Sequence, residues 1–194
     1  MTDNRLILAS ANPDSTPLST LGGVSGLIAA LQDYQFIGKA IDEGLPLHYH
    51  SGPKIMNCIS LVGCSPVYAL TDSSDEPAGI VSFSPVYSEM QFIYGANTMT
   101  PKCTQCHQTM GSWKNLLPEP LAVCNVMSGD IECEHCAQSN SLRSLRFRRE
   151  AVVGRFFINI HGIYPREAVP MDDFLSFLQR FIGGSLNYFY CQGQ

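Results

Sequence analysis

Four of the eight cysteines lie in two short pairs that share one spacing. Two residues separate Cys103 from Cys106, two separate Cys133 from Cys136, and 26 residues, 107 to 132, separate the pairs. A Cys-x-x-Cys turn presents two sulfur atoms on one side of the chain, so two such turns can surround one metal ion as a tetrahedron. The spacing therefore predicts a four-thiolate metal site, and Zn²⁺ is the ion that such a ligand set favours.

Three other uses of these thiols stay open. Iron takes the same four thiolates. A redox-active pair is expected at a helix N-terminus after a strand, whereas Pro101-Lys102 and Gly129-Asp130 indicate turns before the pairs. Disulfides need an oxidising compartment, and we expect no secretion signal because Leu6–Ala9 is too short an apolar run. We therefore expect a cytoplasmic protein with reduced thiols that bind zinc, with iron and redox chemistry as the alternatives.

The segment from Pro101 to Gln138 resembles a zinc ribbon, in which two Cys-x-x-Cys turns, each followed by a strand, hold one ion. The four cysteines carry the resemblance, and it departs from the ribbon pattern at His107 and Ala137, which follow the two pairs in place of glycine. The resemblance implies a closed structural zinc site without an open coordination position for catalysis. Cys124, between the pairs, is expected to be a buried thiol in a ribbon strand.

A run of arginines follows the second cysteine pair. Five of the eight arginines fall between residues 139 and 155, against the single acid Glu150: Arg143, Arg146, Arg148, Arg149 and Arg155. Arg146 and Arg148 alternate with Leu145 and Phe147, as on a strand with one basic face. Such a stripe is typical of phosphate binding. The alternatives are a solvated edge strand protected by its charges, or pairing with the chain's own carboxylates.

A second set of chemically active residues lies outside the cysteine segment. His48 and His50 are two residues apart, so they share a face if they lie on a strand. Cys64 stands in a Gly-Cys-Ser-Pro turn, and His161 ends an apolar run. A thiol beside one of these histidines would be an activated nucleophile, with Glu167 as a further acid. The alternative is that they are separate core or rim residues.

Composition limits the class of protein. The chain has 194 residues, 45% of them apolar, which is enough to bury a real core. Charged residues make up 15%, below the usual value of about a quarter, which favours extensive burial or apolar contact with a partner. The net charge of −5 argues against attraction of the whole molecule to nucleic acid or anionic membranes. No apolar run approaches the roughly 18 residues of a membrane span.

Hydrophobic periodicity predicts an α+β fold with a mostly antiparallel sheet, two amphipathic helices and an inserted zinc-ribbon module. Apolar spacings of three and four predict helices at 24–43, with a break near Gln35–Gly38, and at 171–182. Apolar runs predict strands at 5–10, 45–50, 56–70, 79–84, 90–94, 155–164 and 186–191, and a hairpin from 56–70 and 79–84. We expect one α+β domain from residues 1–99 and 141–194, with the zinc ribbon at 100–140 as an insertion.

These patterns favour a zinc-stabilised binding or adaptor protein over a zinc enzyme, because four thiolates leave no open position on the metal. Its partner is expected to be a protein or a nucleic acid that contacts the arginines from Arg143 to Arg155. The first alternative is an enzyme with structural zinc and a site around Cys64, His48, His50 and His161. The second is a redox switch that releases zinc when the thiolates oxidise.

Overall fold

The computed structural model describes residues 3–12, 18, 22–41, 47–62, 79–117, 120–125 and 130–193, without the side chains of residues 116, 124 and 125. The helices are α1 Gly23–Asp33, α2 Ile55–Cys58 and α3 Asp172–Ile182, with a 3-10 helix at Gly111–Leu116. The strands are β1 Asn4–Ser10, β2 Ile37–Ala40, β3 His48–Ser51, β4 Ile59–Leu61, β5 Ile80–Phe83, β6 Gln91–Tyr94, β7 Cys124–Asn125, β8 Asp130–Glu132, β9 Ser139–Ser141, β10 Ala151–Gly154, β11 Ile158–His161, β12 Ala168–Pro170 and β13 Leu186–Gln192. The chain is thus a mixed α and β protein in which antiparallel sheet predominates, as the sequence predicts.

A six-stranded sheet forms the largest layer, in the order β13-β1-β11-β5-β3-β2, and every neighbouring pair is antiparallel. Because side chains alternate along a strand, each central strand sends one set of residues to each face. Leu6, Val81 and Ile160 lie on the first face, where they join one buried core with α1 and α3. On the second face, β1 carries the apolar residues Ile7 and Ala9, whereas β11, β5 and β3 carry polar residues.

Helix α3 confirms the prediction at 171–182. It begins with Asp172 and Asp173, whose carboxylates complement the N-terminal end of the helix dipole, and it ends at Gly183 with φ of 80°. Phe174 is 1% exposed, and its ring centroid lies 4.4 Å from that of Phe36.

The first helix is shorter than predicted, because α1 ends at Asp33 and the second half of the predicted helix at 24–43 forms β2. Gln35 adopts φ of 63°, which turns the chain out of the helix. Phe36 and Ile37 still reach the core, with 0% and 2% exposure. These two apolar residues therefore continue the helical spacing of the sequence because they are buried, although their backbone is not helical.

The predicted hairpin of 56–70 with 79–84 is wrong in the described residues. Ile55–Cys58 forms a helical turn, and the following strand β4 pairs with β12. Strand β5 lies between β11 and β3, so both of its edges are already paired. Residues 63–70 of the predicted strand lie outside the described ranges.

A second buried cluster joins the cysteine segment to the strands that flank it. Trp113 lies with its ring centroid 5.3 Å from Tyr94 and 5.1 Å from Phe147, and Phe147 lies 5.2 Å from Phe92. Cys103 and Cys133 belong to the same cluster. The three-stranded sheet β10-β6-β7 supplies Phe92 and Tyr94, so the metal-ligand candidates and this sheet share one core.

The basic strand predicted around Arg146 and Arg148 is wrong, because residues 142–150 contain turns and bends and no strand. We call this segment the arginine loop. Leu142, Leu145 and Phe147 are buried in the second cluster, and Arg148 adopts φ of 56°. The alternation of apolar and basic residues therefore describes which side chains face inward, although no ladder of strand hydrogen bonds forms.

No helix in the described part of the chain could cross a bilayer, since the two longest have 11 residues each.

Replacing Phe174 with alanine is expected to lower the free energy of unfolding by about 3–5 kcal/mol, because it leaves a cavity against Phe36. Urea unfolding followed by circular dichroism measures the change. Met171→Ala is the control, because Met171 is 45% exposed and its loss should cost less than about 0.5 kcal/mol. Equal losses in the two variants would contradict this account of the first core.

Candidate functional site

The four cysteines of the two pairs converge on one point. Their Sγ atoms all lie within 4.8 Å of one another. The Sγ atoms of Cys103 and Cys136 are 3.7 Å apart, as are those of Cys106 and Cys133. Ligands about 2.3 Å from a tetrahedral ion are separated by about 3.8 Å, so the spacing fits a metal site. The cluster can therefore hold a metal ion, and no disulfide joins any of the cysteines in the described ranges.

The first cysteine loop, residues 102–109, is shaped by hydrogen bonds that bring its ligands together. The Cys103 N–H donates to the Gln108 carbonyl at 2.9 Å, and the His107 N–H donates to the Cys103 carbonyl at 3.1 Å. The Gln105 N–H points at Cys103 Sγ at 3.4 Å. Lys102 and Thr109 close the loop as an antiparallel bridge.

The second cysteine loop, residues 132–139, repeats this arrangement 30 positions later. The Cys133 N–H donates to the Gln138 carbonyl at 2.9 Å, the Ala137 N–H donates to the Cys133 carbonyl at 2.9 Å, and the His135 N–H lies 3.5 Å from Cys133 Sγ. Ala137 has φ of 57° and its counterpart His107 has φ of 60°. The residues that replace glycine after each pair therefore adopt the left-handed conformation that glycine would favour.

Asn140 and Glu134 tie the two loops to each other. Asn140 is 1% exposed, and its Oδ1 accepts from the Thr104 N–H at 3.0 Å and the Thr104 hydroxyl at 2.8 Å. Its Nδ2 lies 3.6 Å from Cys103 Sγ. In the other direction, the Glu134 carboxylate accepts from the N–H groups of Gly111 and Ser112 at the start of the 3-10 helix. Both ties are thus made by side chains of the second segment, which accept hydrogen bonds from the first loop and from the 3-10 helix that follows it.

The thiols influence one another's ionisation. The Cys106 N–H, followed by the N–H of Gln105 and the Asn140 amide, lowers the pKa of Cys103 to about 6. For Cys136 the Gln138 N–H has the largest single effect and lowers the pKa, but desolvation and the neighbouring sulfurs outweigh it and raise the pKa to about 12. Four thiolates at this spacing therefore need a cation to balance their charge.

Cys58 and Cys191 are buried thiols of the cores. Desolvation raises the pKa of Cys58 to about 12, and burial has the same effect on the pKa of Cys191. The backbone of Cys124 lies in β7, where it pairs with Phe92, as expected for a cysteine in a strand of this segment.

A basic cleft of about 760 Å³ lies between the first cysteine loop and the arginine loop. Four groups with positive or ionisable nitrogen line it: Lys102, His107, Arg146 and Arg148. Its remaining described lining residues are neutral or thiol side chains, and no carboxylate is among them. We call it the basic cleft.

The predicted arginine stripe divides into exposed and anchored members. Arg143, Arg146, Arg148 and Arg149 are exposed, whereas Arg155 is half-buried and donates from Nε to the Tyr87 carbonyl at 3.0 Å. The Arg149 guanidinium lies 4.0 Å above the Tyr188 ring. Arg146, Arg148 and Arg149 form no ion pair with any carboxylate in the described residues, so pairing with the chain's own acids does not account for them there.

A second cleft, of about 400 Å³, begins on the other side of Arg148. Arg149 and Arg166 line it together with Tyr188 and Tyr190, and Glu150 is the one acid among its described lining residues. Arg148 borders both clefts, so the positively charged surface continues from the metal site to a pair of tyrosines.

The histidines predicted as an alternative site come together only in part. The ring centroids of His48 and His161 lie 6.1 Å apart, and His50 lies on the same strand face as His48. Glu167 is used elsewhere, since its Oε2 accepts from the Tyr164 N–H at 3.0 Å. Cys64 lies outside the described residues.

Two residues that are not among the predicted ones contact His161 directly. Its Nε2 lies 2.8 Å from the Ser82 hydroxyl, and its Nδ1 lies 3.4 Å from Asp3 Oδ1. The hydrogen bond from His161, together with Arg5, holds the pKa of Asp3 well below its usual range. A polar Ser82 within the apolar run 79–84 is the sequence signal for such a site, whereas nothing in the sequence marks Asp3.

Comparison with known proteins gives no relative: no family model matches the chain, and no curated protein or solved structure matches it at a significant level.

Replacing Asn140 with alanine is expected to lower the free energy of unfolding by about 1–3 kcal/mol, because the Thr104 donors lose their acceptor. Urea unfolding at one fixed metal content measures the loss. Gln105→Ala is the control, since the Gln105 side chain is exposed on the same loop. A change of less than about 0.5 kcal/mol in both variants would contradict the role of Asn140 as the tie between the loops.

Proposed function

We propose that the protein is a zinc-stabilised binding protein that takes the phosphate backbone of a nucleic acid into the basic cleft. In this proposal residues 100–140 are a zinc ribbon inserted in an α+β domain, and the ion is structural. The single observation that carries the proposal is the basic cleft, where cationic side chains with no carboxylate among the described lining residues are held against a metal-ligand loop.

The donor set supports zinc as the ion. Four thiolates suit Zn²⁺, and the sulfur separations of 3.7 Å match its tetrahedral shell. A shell closed by four protein ligands leaves no position for substrate, which supports a role in holding the two cysteine loops. Iron is the competing ion, since it accepts the same ligands and geometry.

The position of the cleft supports recognition of phosphate at short range. The whole chain carries a net charge of −5, so long-range attraction to a polyanion is weak or repulsive. Screening at physiological salt limits charge effects to about 8 Å, so Arg146 and Arg148 act on a phosphate that is already inside the cleft. The left-handed backbone of Arg148 is braced by the burial of Phe147, which is 6% exposed.

The second cleft favours a nucleic acid over an acidic protein. A polyanion that passes Arg148 reaches Arg149, whose guanidinium is stacked on Tyr188. Guanidinium planes and aromatic rings both stack on nucleobases, which adds base contacts to the phosphate contacts. The bases of a single strand are accessible to such stacking, so single-stranded RNA or DNA is the expected ligand.

Purified protein is expected to contain one zinc ion per chain, measured by inductively coupled plasma mass spectrometry. Cys103→Ser should lose the ion and destabilise the cysteine loops, because three thiolates no longer complete the shell. Cys58→Ala is the matched control and should keep the zinc, since Cys58 is buried in the first core away from the cluster. Iron at the same stoichiometry, or no metal in freshly purified wild type, would contradict the zinc assignment.

The double variant Arg146→Ala/Arg148→Ala is expected to bind a fluorescent single-stranded oligonucleotide at least about 10-fold more weakly than wild type. The slope of log affinity against log salt should shrink by about 1.4, because each phosphate that the protein no longer neutralises removes about 0.7 from it. Fluorescence anisotropy at several salt concentrations measures both quantities. Lys39→Ala/Arg180→Ala is the control, because it removes the same charge from residues outside the clefts.

Equal weakening in the two double variants would show that only net charge matters. Absence of wild-type binding to single-stranded or double-stranded oligonucleotides at low salt would refute the nucleic-acid proposal. Salt-sensitive binding of a poly-glutamate peptide in its place, abolished in Arg146→Ala/Arg148→Ala, would assign the cleft to an acidic protein.

A further inference from the structure

A chain of three polar side chains crosses the second face of the six-stranded sheet, away from both clefts. Asp3 Oδ1 lies 3.4 Å from His161 Nδ1, and His161 Nε2 lies 2.8 Å from the Ser82 hydroxyl. A hydroxyl within hydrogen-bond reach of an imidazole, which a third group orients in turn, is the arrangement of an activated nucleophile.

The register of the sheet brings these residues together from distant parts of the chain. Ser82 on β5 is opposite Asn159 on β11 and opposite His48 on β3, so all three side chains share the second face. His161 stands two residues beyond Asn159 on the same face, which places its ring diagonally beside Ser82. Asp3 immediately precedes β1, where Arg5 is opposite His161.

We propose that Ser82 is the nucleophile of an acyl-transfer site, with His161 as its general base and Asp3 as the positioning residue. Asp3 accepts the proton of Nδ1 and thereby selects the tautomer in which Nε2 has a lone pair. That lone pair faces the Ser82 hydroxyl and accepts its proton when the oxygen attacks. Arg5 donates from Nε to Asp3 Oδ2 at 3.0 Å and fixes the carboxylate.

Asn159 supplies an independent sign that the site is built for a ligand. It is 7% exposed, and its Oδ1 has no hydrogen-bond partner within the described structure. A buried amide group without a partner costs stability, so it is a group that a ligand can satisfy. Because Asn159 is opposite Ser82, its NH₂ would donate to the oxyanion of a carbonyl attacked there.

The exposures of the three residues limit the size of the substrate. The side chains of Asp3 and His161 are 42% and 21% exposed, whereas Ser82 is 5% exposed. Solvent therefore reaches the site from the Asp3 side, and the nucleophile itself is nearly buried. A small carboxylic ester with a short acyl group, such as an acetyl ester, is the substrate class that this geometry fits.

The reaction balances without a cofactor. The Ser82 oxygen bonds to the ester carbonyl carbon while its proton moves to His161 Nε2. The tetrahedral intermediate collapses, the bond to the alcohol oxygen breaks, and the alcohol leaves with the proton from His161. Water then attacks the acyl-serine with His161 as base again, which releases the carboxylic acid and restores Ser82.

The test uses the full-length, metal-loaded protein and an alkyl fluorophosphonate, which bonds to activated serines with loss of fluoride. Peptide mapping by mass spectrometry is expected to place the adduct on Ser82 and not on Ser176, an exposed serine that serves as the internal control. His161→Gln should slow labelling by at least about 100-fold through loss of the base. Hydrolysis of p-nitrophenyl acetate should fall in parallel.

Asp3 is tested by a conservative pair. Asp3→Asn should slow labelling because the amide no longer selects the reactive tautomer, and Asp3→Glu should restore part of the rate. Arg180→Ala should label at the wild-type rate, because Arg180 is exposed on α3, which packs against the other face of the sheet.

An absence of any adduct on Ser82 in the folded wild type would overturn the proposal, whatever the variants do. So would adduct formation at the same rate in His161→Gln, or equal labelling of Ser82 and Ser176. Labelling at Ser82 that depends on His161 would establish the site even if the protein bound no nucleic acid.

Discussion

Charge balance among four sulfur atoms is the constraint on which the cysteine segment depends. Thiolates within 4.8 Å of one another repel, and desolvation together with the neighbouring sulfurs raises the pKa of Cys136. A bound metal ion would remove this repulsion and would join residues that are 30 positions apart in sequence. The ties through Asn140 and Glu134 would then need only to orient two loops that the ion holds together.

The consequences of this constraint extend through the second core to the surface. Cys103 and Cys133 share a cluster with Trp113 and Phe147, so the loops that hold the ligands also support the arginine loop. The buried apolar residues of that loop anchor it, which leaves its arginines pointing outward. The cysteine cluster is thus linked to the basic cleft by the packing of shared buried side chains.

The sequence predicts most reliably what depends on local spacing. The cysteine pairs, the amphipathic helix α3 and the apolar strands β1, β5, β6 and β13 each bear a short-range pattern, and all of them appear in the structure. The predictions from the sequence that are wrong concern residues whose structure depends on long-range pairing. Ile37 fits a helical spacing but completes β2, and Leu145 and Phe147 alternate with arginines on turns, because burial in a distant core, not backbone hydrogen bonding, sets their pattern.

Long-range register also explains why Ser82 and Asp3 are not predicted from the sequence. The pairing of distant strands, and not a local pattern, places the polar side chains of the second face beside one another. On β1 the second face carries Ile7 and Ala9, which pack in one buried apolar cluster as a sheet built for stability would. On the next two strands, β11 and β5, the same face carries Asn159 and Ser82, and Asn159 leaves an oxygen without a partner among the described residues. Apolar residues there would avoid that desolvation cost. A local departure from stable packing is expected where side chains are set to bind or react, which is the reason to look for chemistry on this face instead of at the metal.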